Sequence, residues 1–427
     1  MKNLVKQNTK IENNEIKNYK QLTAVIQKYS DCDVYELALK KNFEREIDFN
    51  FVINQIAIRQ KNSKKFPTLL KNFDFFFPST ISAEQSSSEI TAKYKSEIIS
   101  NFNNSADLTG GLGIDSLYFA KKATKHIYCE QNSAYCDFFR NNCNVLNQNN
   151  IEITNQKSEN FIKQCIEQKM IFDIVYIDPS RRDNSNQKKF LLKDLQPDIF
   201  ILQKKLAEIT EKAIIKLSPM LDITSVLENI NNVNEIHIVS VENECKELLV
   251  VLDFTKNILI ENKIKYFAVN LKNLSNENLE IQVEKIELKK NINEKINFTF
   301  PQKYIYEPNS SIMKLGFWED FCYKYSLNKL HPNSHLFTSA ELLLKFPGRV
   351  FELVAITKFS SKEVNNILQK ERKANVTVRN FPATTDAIKK KLKLKDGGNI
   401  YLFATTILFN FTNKPCILIT QKINNKF

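Results

Sequence analysis

The chain has 427 residues, which is long enough for two or three domains that each bury a core. Its 42% hydrophobic and 26% charged residues are typical of soluble globular proteins, and no uncharged apolar run is long enough to span a membrane. The first residues are polar and lack the apolar stretch of a secretion signal. We therefore expect a cytoplasmic protein that does not contact membranes.

The net charge is strongly positive. With 61 basic and 48 acidic residues the formal net charge is +13, which predicts an acidic partner, with nucleic acid as the leading candidate. Lys, Asn and Ile are abundant throughout the chain, as an AT-rich genome would produce whatever the function. Charge alone therefore favours nucleic acid only slightly.

The cysteines and histidines bear on metals and disulfides. The eight cysteines form no Cys-x-x-Cys pair, which predicts free buried thiols in a reducing compartment. His331 and His335 have the spacing of a zinc pair, but Pro332 argues against a continuous helix there and no third ligand is evident. We expect no metal site.

The first 80 residues are predicted to be helical. Apolar residues recur at three- and four-residue spacing over Tyr19–Tyr29, Val34–Lys41 and Phe49–Gln60. No catalytic constellation lies in this region, which predicts a cap or docking bundle. A serine-rich segment and a further helix follow, over Glu84–Ile99.

Three of the seven glycines lie within four positions, at Gly110, Gly111 and Gly113. A short strand is predicted to end near Leu108 and a helix to begin near Asp115. Because glycine has no Cβ and adopts positive φ easily, such a turn lets a ligand approach the backbone beside the helix amino terminus. The pattern predicts the cofactor-binding turn of a nucleotide-type α/β domain.

The neighbouring acidic residues bear on which cofactor binds. Glu130 ends a second apolar strand, where a carboxylate can accept hydrogen bonds from ribose hydroxyls, so NAD and S-adenosylmethionine fit alike. Asp107 favours S-adenosylmethionine, because a carboxylate repels a pyrophosphate and attracts a cationic amino-acid group. The predicted cofactor-binding residues are Asp107, Thr109, Gly110, Gly111, Gly113, Asp115, Glu130 and Asp178.

A second motif follows the apolar strand Phe172–Ile177, which delivers Asp178 and Pro179 to the carboxyl edge of the predicted sheet. Asp178 and the carbonyl of Pro179 could accept hydrogen bonds from a target amine and orient its lone pair. Arg181 and Arg182 suit phosphate contact and base stacking, or an ion pair that holds the loop. We predict Asp178, Pro179 and Arg181 as catalytic residues.

Together these residues resemble the class I S-adenosylmethionine-dependent methyltransferases. They are more closely similar to a group of bacterial proteins, common in Bacteroidetes, that carry a carboxyl-terminal THUMP-like domain. The resemblance extends to five further segments: Glu84–Glu89, Thr91–Lys95, Lys216–Met220, Tyr306–Asn309 and Arg379–Pro382. It implies an α/β fold with a Rossmann-like seven-stranded methyltransferase sheet, a helical amino-terminal region and carboxyl-terminal α+β domains of ferredoxin-like and THUMP-like type.

The element pattern fits this organisation. Seven strands are predicted between residues 100 and 255, and the last two are joined too closely for a helical crossover, so they should be antiparallel. Two strands are predicted in the next segment, over 264–269 and 281–288, and the tail follows the order βαβαββ. The predicted domains are 1–80 (helical), 81–255 (methyltransferase), 256–345 (ferredoxin-like insert) and 346–427 (THUMP-like).

The resemblance also bears on the substrate. Ser180 and Arg181 stand where many amino-methylating relatives place an aromatic residue, which puts methylation of an exocyclic amine in doubt. The Asp-Pro-x-Arg form is similar to 5-methyluridine methyltransferases, but Ser218 stands in place of their cysteine nucleophile, which argues against carbon methylation of pyrimidines.

We predict a methyltransferase of RNA with the tail as RNA-binding module. The predicted substrate-binding residues are Arg182, Lys216, Lys373, Arg379 and Phe381. The alternatives are a catalytically weak cofactor-binding protein that docks RNA, and a methyltransferase of a protein or small molecule.

Overall fold

The computed structural model describes residues 20–39, 48–181, 192–255, 264–275, 279–290, 292–369 and 372–423. The chain divides into two compact units. The first comprises Met1–Ile236, Lys246–Ile264 and Leu271–Val283, and the second comprises His237–Cys245, Lys265–Asn270 and Glu284–Phe427.

The described part of the amino-terminal region is helical, as predicted, whereas residues 1–19 and 40–47 lie outside the described residues. Its helices are α1 (20–28), α2 (Val34–Leu39), α3 (Phe49–Lys61), α4 (Thr80–Gln85) and α5 (Glu89–Glu97), with a short 3-10 helix at Leu69–Lys71. Arg59 of α3 is buried, and its guanidinium donates to the carbonyls of four residues in the loop that follows: Leu70, Asn72, Phe73 and Phe75. Because this segment has no sheet partner, Arg59 supplies hydrogen-bond donors to carbonyls that no strand ladder pairs.

Alternating strands and helices follow from residue 104. The strands are β1 (Asn104–Asp107), β2 (Lys125–Glu130), β3 (Ile151–Asn155), β4 (Phe172–Ile177), β5 (Ser180–Arg181), β6 (Leu195–Gln196), β7 (Thr210–Leu217), β8 (Val233–Val241), β9 (Glu244–Asp253), β10 (Lys265–Ser275) and β11 (Glu280–Leu288). The helices are α6 (Ile114–Ala120), α7 (Ser133–Val145), α8 (Ser158–Glu167), α9 (Ile199–Leu206) and α10 (Ile223–Asn229), with a short 3-10 helix at Leu192–Asp194.

Nine of these strands form one sheet in the order β11-β10-β8-β9-β7-β4-β1-β2-β3. The neighbours from β7 to β3 are parallel, and β9 is antiparallel to β7. The seven predicted strands are confirmed. The two strands predicted for the following insert instead pair at the edge of this same sheet, as β10 and β11, so it has nine strands rather than seven.

The second unit contains a seven-stranded sheet in the order β13-β14-β12-β15-β18-β17-β16. Its strands are β12 (Tyr304–Pro308), β13 (Asn328–Lys329), β14 (Phe337–Ser339), β15 (Gly348–Thr357), β16 (Asn375–Arg379), β17 (Ile400–Phe409) and β18 (Thr412–Ile423). Its helices are α11 (Ser310–Leu315), α12 (Trp318–Tyr325), α13 (Ser361–Leu368) and α14 (Thr385–Leu392). The predicted βαβαββ order of the tail is confirmed.

Two apolar clusters fill the second unit. The first joins α13 and α14 to the sheet through Val364, Ile388 and Leu402, among others. The second includes Phe351 and Phe403. Because β12 pairs with β15 along five residues, the segments before and after residue 348 share one sheet and one core.

The cysteines agree with the prediction of free thiols. All eight cysteines have free thiols, and six of them are buried. No helix within the described ranges combines the length and apolar character that a membrane span requires.

Candidate functional site

The glycine turn between β1 and α6 is fastened to β2. The N–H of Gly111 donates to Glu130 Oε2 at 2.9 Å, and the hydroxyl of Tyr128 donates to the carbonyl of Gly111 at 2.6 Å. The N–H of Gly110 donates to the carbonyl of Cys129 at 2.9 Å. The predicted acidic residue at the tip of β2 therefore lies beside the turn.

Two glycines of this turn have no room for a side chain. A Cβ at Gly110 would lie 2.3 Å from the Tyr128 ring, and one at Gly113 would lie 2.0 Å from the Phe139 ring. Gly111 differs, because a Cβ there would meet only the carbonyl oxygen of Thr109, at 3.7 Å. Open space next to a backbone of positive φ is what a closely approaching ligand requires.

Asp107 lies at the end of β1 and is buried. Its carboxylate accepts hydrogen bonds from the N–H of Thr109 at 2.9 Å and the hydroxyl of Ser116 at 2.7 Å. Burial raises the pKa of Asp107 to about 7, and these two hydrogen bonds oppose the rise. The carboxyl therefore changes its charge near neutral pH.

Asp178 and Lys216 form an ion pair at the ends of β4 and β7. The ammonium of Lys216 lies 2.5 Å from Asp178 Oδ2, and the N–H of Asp178 donates to Thr109 Oγ1 at 2.6 Å. Burial lowers the pKa of Lys216, but Asp178, Glu247 and Asp115 outweigh that effect and raise it, so the side chain is a cation at neutral pH. The two motifs of the sequence thus meet through Thr109 and Asp178.

Asp115 takes part in a buried charge network behind the glycine turn. Its Oδ1 lies 2.8 Å from the ammonium of Lys95, which is fully buried and also lies 3.1 Å from Glu247 Oε1. Its Oδ2 accepts hydrogen bonds from Ser87 at 2.6 Å and from Tyr176 at 3.0 Å. The attraction of Lys95 lowers the pKa of Asp115, against the opposing effect of burial.

One cavity of about 710 Å³ in the first unit joins these features. Every predicted cofactor-binding residue lines it, and so does Lys216. Its volume is within the range of small-molecule and cofactor sites. Of the other two predicted catalytic residues, Pro179 is buried beside Asp178, and the backbone of Arg181 pairs with Leu195. Arg182 lies outside the described residues.

Two further segments of the cavity wall were not predicted from the sequence. Gln85 at the end of α4 and Ser86 and Ser87 after it line the cavity, and so do Gln156–Glu159 after β3. The run of three serines was a signal for the first group. The position after a parallel strand was a signal for the second, because ligands bind at the carboxyl ends of such strands.

The remaining predicted substrate residues belong to the second unit. Arg379 lies 2.8 Å from Glu307 Oε1, and Arg349 binds the other oxygen of this buried carboxylate. Phe381 packs edge-to-face against Phe359, with 5.4 Å between ring centroids, and Lys373 is exposed. Their role in binding RNA remains a prediction.

The Glu307–Arg379 ion pair also indicates that the sheet in the second unit is curved. Four strand steps separate β12 from β16, about 19 Å in a flat sheet. Direct contact between Glu307 on β12 and Arg379 on β16 therefore requires that the sheet curl. This arrangement gives Arg379 a structural role in addition to the predicted one.

The two histidines considered as a zinc pair make other contacts. His335 stacks on Trp318 with 4.9 Å between ring centroids, and His331 Nδ1 accepts a hydrogen bond from the N–H of Asn333 at 3.0 Å. Within the described part of the chain, no group of three or more potential metal ligands is present.

Two family models match adjacent segments in the carboxyl-terminal part of the chain. A family model described as a ferredoxin-like domain matches residues 304–347, and one described as THUMP domain-like matches residues 348–422. No curated protein matches the sequence significantly. Over 96% of its length the chain is similar to 99% of a solved structure, a "putative methyltransferase" from Porphyromonas gingivalis W83, with 29% identity and a TM-score of 0.83.

Two further solved structures match part of the chain. A SAM-dependent methyltransferase from Agrobacterium tumefaciens has 12% identity and a TM-score of 0.29, covering 47% of this chain and 58% of that one. SMU.776, a "putative methyltransferase" complexed with SAH, has 13% identity and a TM-score of 0.28, covering 34% and 40%. Both scores are too low to support an argument about this protein.

The whole-length likeness and the two family models agree with the observed architecture of the two units. The chain has the fold of a class I methyltransferase with a helical amino-terminal region, followed by a ferredoxin-like and a carboxyl-terminal THUMP-like domain.

Proposed function

We propose that this protein is an S-adenosylmethionine-dependent methyltransferase that acts on RNA. The observation that carries the proposal is the single cavity lined both by the glycine turn with Glu130 and by the Asp178–Lys216 pair. A cofactor site and a polar acceptor site thus share one space, as transfer between two bound molecules requires.

The residues of the cavity fit this cofactor. The open space at Gly111 admits a ligand against the backbone, and Glu130 at the tip of β2 suits ribose hydroxyls. Asp107 and the other carboxylates suit a molecule that carries positive charge, whereas they would repel a pyrophosphate. When bound, the cofactor supplies an electrophilic methyl group.

Asp178 and Lys216 are the residues that would bind the molecule that accepts the methyl group. The ammonium of Lys216 donates a hydrogen bond to Asp178 Oδ2, while no hydrogen bond to Oδ1 is found among the described residues. Oδ1 can therefore accept a hydrogen bond from a nucleophile and orient its lone pair. The fixed cation of Lys216 suits an electron-rich group on the same substrate.

The RNA part of the proposal rests on the second unit and on the overall charge. Residues 348–422 match the THUMP-like model, and the formal net charge is +13. This is an argument from fold-level analogy and electrostatics. The experiment that tests it compares nucleosides from a deletion strain and its parent by mass spectrometry. Loss of one methylated nucleoside is expected, whereas identical profiles would favour a protein or small-molecule substrate, or a protein that docks RNA without methylating it.

Cofactor binding is the first prediction. Calorimetry should show micromolar affinity for S-adenosylmethionine, about −8 kcal/mol, and no binding of NAD. Gly111→Ala should weaken binding strongly. Its Cβ enters open space, so the loss of stability should be limited to the backbone strain of alanine at φ +53°, about 1 kcal/mol. Gly113→Ala is the matched comparison and should lower the melting temperature, because its Cβ overlaps the Phe139 ring. Binding of NAD alone would contradict the assignment.

Cofactor affinity should depend on pH through Asp107. Because its pKa is raised to about 7, Asp107 is mostly neutral at low pH in the free protein. A cationic ligand favours the ionised form, so affinity should rise roughly tenfold from about pH 5 to about pH 7.5, with release of a proton on binding. Calorimetry over this range measures the effect. Asp107→Asn should flatten the profile, and an unchanged profile in that variant would exclude Asp107 as its source.

A further inference from the structure

The hairpin between β17 and β18 has an aromatic residue at its tip. Asn410 and Phe411 are its two loop residues, with φ of 47° and 59°. Positive φ at both positions is the type I′ turn, which favours Asn, Asp and Gly. A bulky residue pays a backbone penalty there. Phe411 is 99% exposed, so burial of its ring does not offset that penalty.

Other exposed rings and one cation belong to the same surface. Phe300 is 45% exposed and meets Phe409 edge-to-face, with 5.3 Å between ring centroids, and Phe298 is 36% exposed two residues earlier. The ammonium of Lys414 lies 4.3 Å from the centroid of the Phe409 ring. We refer to these five residues, Phe298, Phe300, Phe409, Phe411 and Lys414, as the hairpin patch.

The charge of the hairpin favours an anionic partner with flat apolar groups. Between residues 406 and 416, Lys414 is the single charged side chain, and the tip is otherwise polar apart from its rings. Unpaired nucleotides combine a negative phosphate with a base whose face stacks on an aromatic ring. The patch also lies mostly within the segment that matches the THUMP-like model.

We propose that the hairpin patch binds single-stranded RNA, with the ring of Phe411 stacking on an unpaired base and Lys414 contacting a backbone phosphate. This inference rests on the proposed RNA substrate and places the contact at Phe411 rather than at Phe381. The ring of Phe381 packs against Phe359 and the core around α13 and α14, whereas the ring of Phe411 is free in solvent.

The test uses the full chain and fluorescein-labelled 12-nucleotide oligo(A) and oligo(U) RNA, with affinity measured by anisotropy at several salt concentrations. Phe411→Gly should weaken binding about five- to hundredfold. Glycine is favoured at this turn position, so the melting temperature should stay the same or rise. Tyr323→Ala, at an exposed aromatic residue on α12 outside the patch, is the matched control and should bind as the unchanged chain does.

Three further variants separate stacking from charge and from plain hydrophobic contact. Phe411→Trp should bind at least as tightly as the unchanged chain, whereas Phe411→Leu should lose affinity as Phe411→Gly does. Phe411→Gly should leave the slope of log affinity against log salt unchanged. Lys414→Gln should reduce that slope by about 0.7, the value for one phosphate contact on a single strand.

The outcomes distinguish this inference from the proposed function. Equal affinity of the unchanged chain and Phe411→Gly would overturn the hairpin patch and leave the RNA proposal standing. Full affinity in Phe411→Leu would overturn stacking and indicate an apolar partner instead. Absence of RNA binding by the unchanged chain would overturn the RNA proposal, and the patch with it.

Discussion

Asp178→Ala should lower the turnover number by about a hundredfold or more, with cofactor affinity nearly unchanged. Asp178 follows β4, and its backbone N–H donates to Thr109 Oγ1. Lys216 binds Oδ2 of the carboxylate, so Oδ1 can accept a hydrogen bond from the molecule that receives the methyl group. Under the proposed function, Asp178→Ala removes the group that would orient the incoming nucleophile. Single-turnover kinetics together with calorimetry separates the loss in the chemical step from any loss in binding.

The Asp178→Asn variant is the matched control for this prediction. Asparagine keeps the shape and one acceptor oxygen but loses the negative charge. If Asp178 takes up a proton, both variants should be equally slow, and if it only orients the nucleophile, Asp178→Asn should recover part of the rate. Full activity in Asp178→Ala would remove Asp178 from the proposed site.

The meeting of the glycine turn with its neighbouring residues could be predicted because the signals are local. The glycines, Glu130 and Asp178 each lie at the end of an apolar run of strand length, and parallel strands bring such ends to one edge. The structure confirms the strand ends, and these residues line one cavity. Their chemical roles remain predictions.

The long-range contacts could not be predicted in this way. Lys95 and Glu247 are 152 positions apart, and Arg379 and Glu307 are 72 apart. The residue type predicted a substrate-binding role for Arg379 but gave no sign of its contact with Glu307, because the curl of the second sheet brings that buried carboxylate to it. Similarly, the strand pattern of β10 and β11 is visible in the sequence, but which sheet they join depends on packing that a pattern does not encode.

The β17–β18 hairpin shows that a sequence pattern predicts strands but does not reveal which side chains are exposed. The predicted βαβαββ order of the tail ends in two adjacent strands, and both are present as β17 and β18. The sequence pattern did not distinguish Phe411, which is exposed at a turn, from Phe381, which is packed, because the two differ in burial rather than in type.

Lys95→Met should destabilise the first unit by about 3–5 kcal/mol, because it leaves Asp115 and Glu247 as buried carboxylates without their shared cation. Denaturant unfolding measures the loss. Lys125→Met is the matched control: its ion pair with Glu152 is of similar length, 2.7 Å, but both side chains are more than half exposed.

Lys125→Met should lower the free energy of unfolding by less than about 1 kcal/mol, because exposed ion pairs contribute little to stability. If the two variants lose the same stability, the buried network does not hold α5 against α6. If only Lys95→Met is destabilised, replacing Glu247 by glutamine in the same chain should restore part of the loss, since one of the two uncompensated charges is then removed. Cofactor affinity should fall in parallel, because Asp115 and Ser87 of this network also line the cavity.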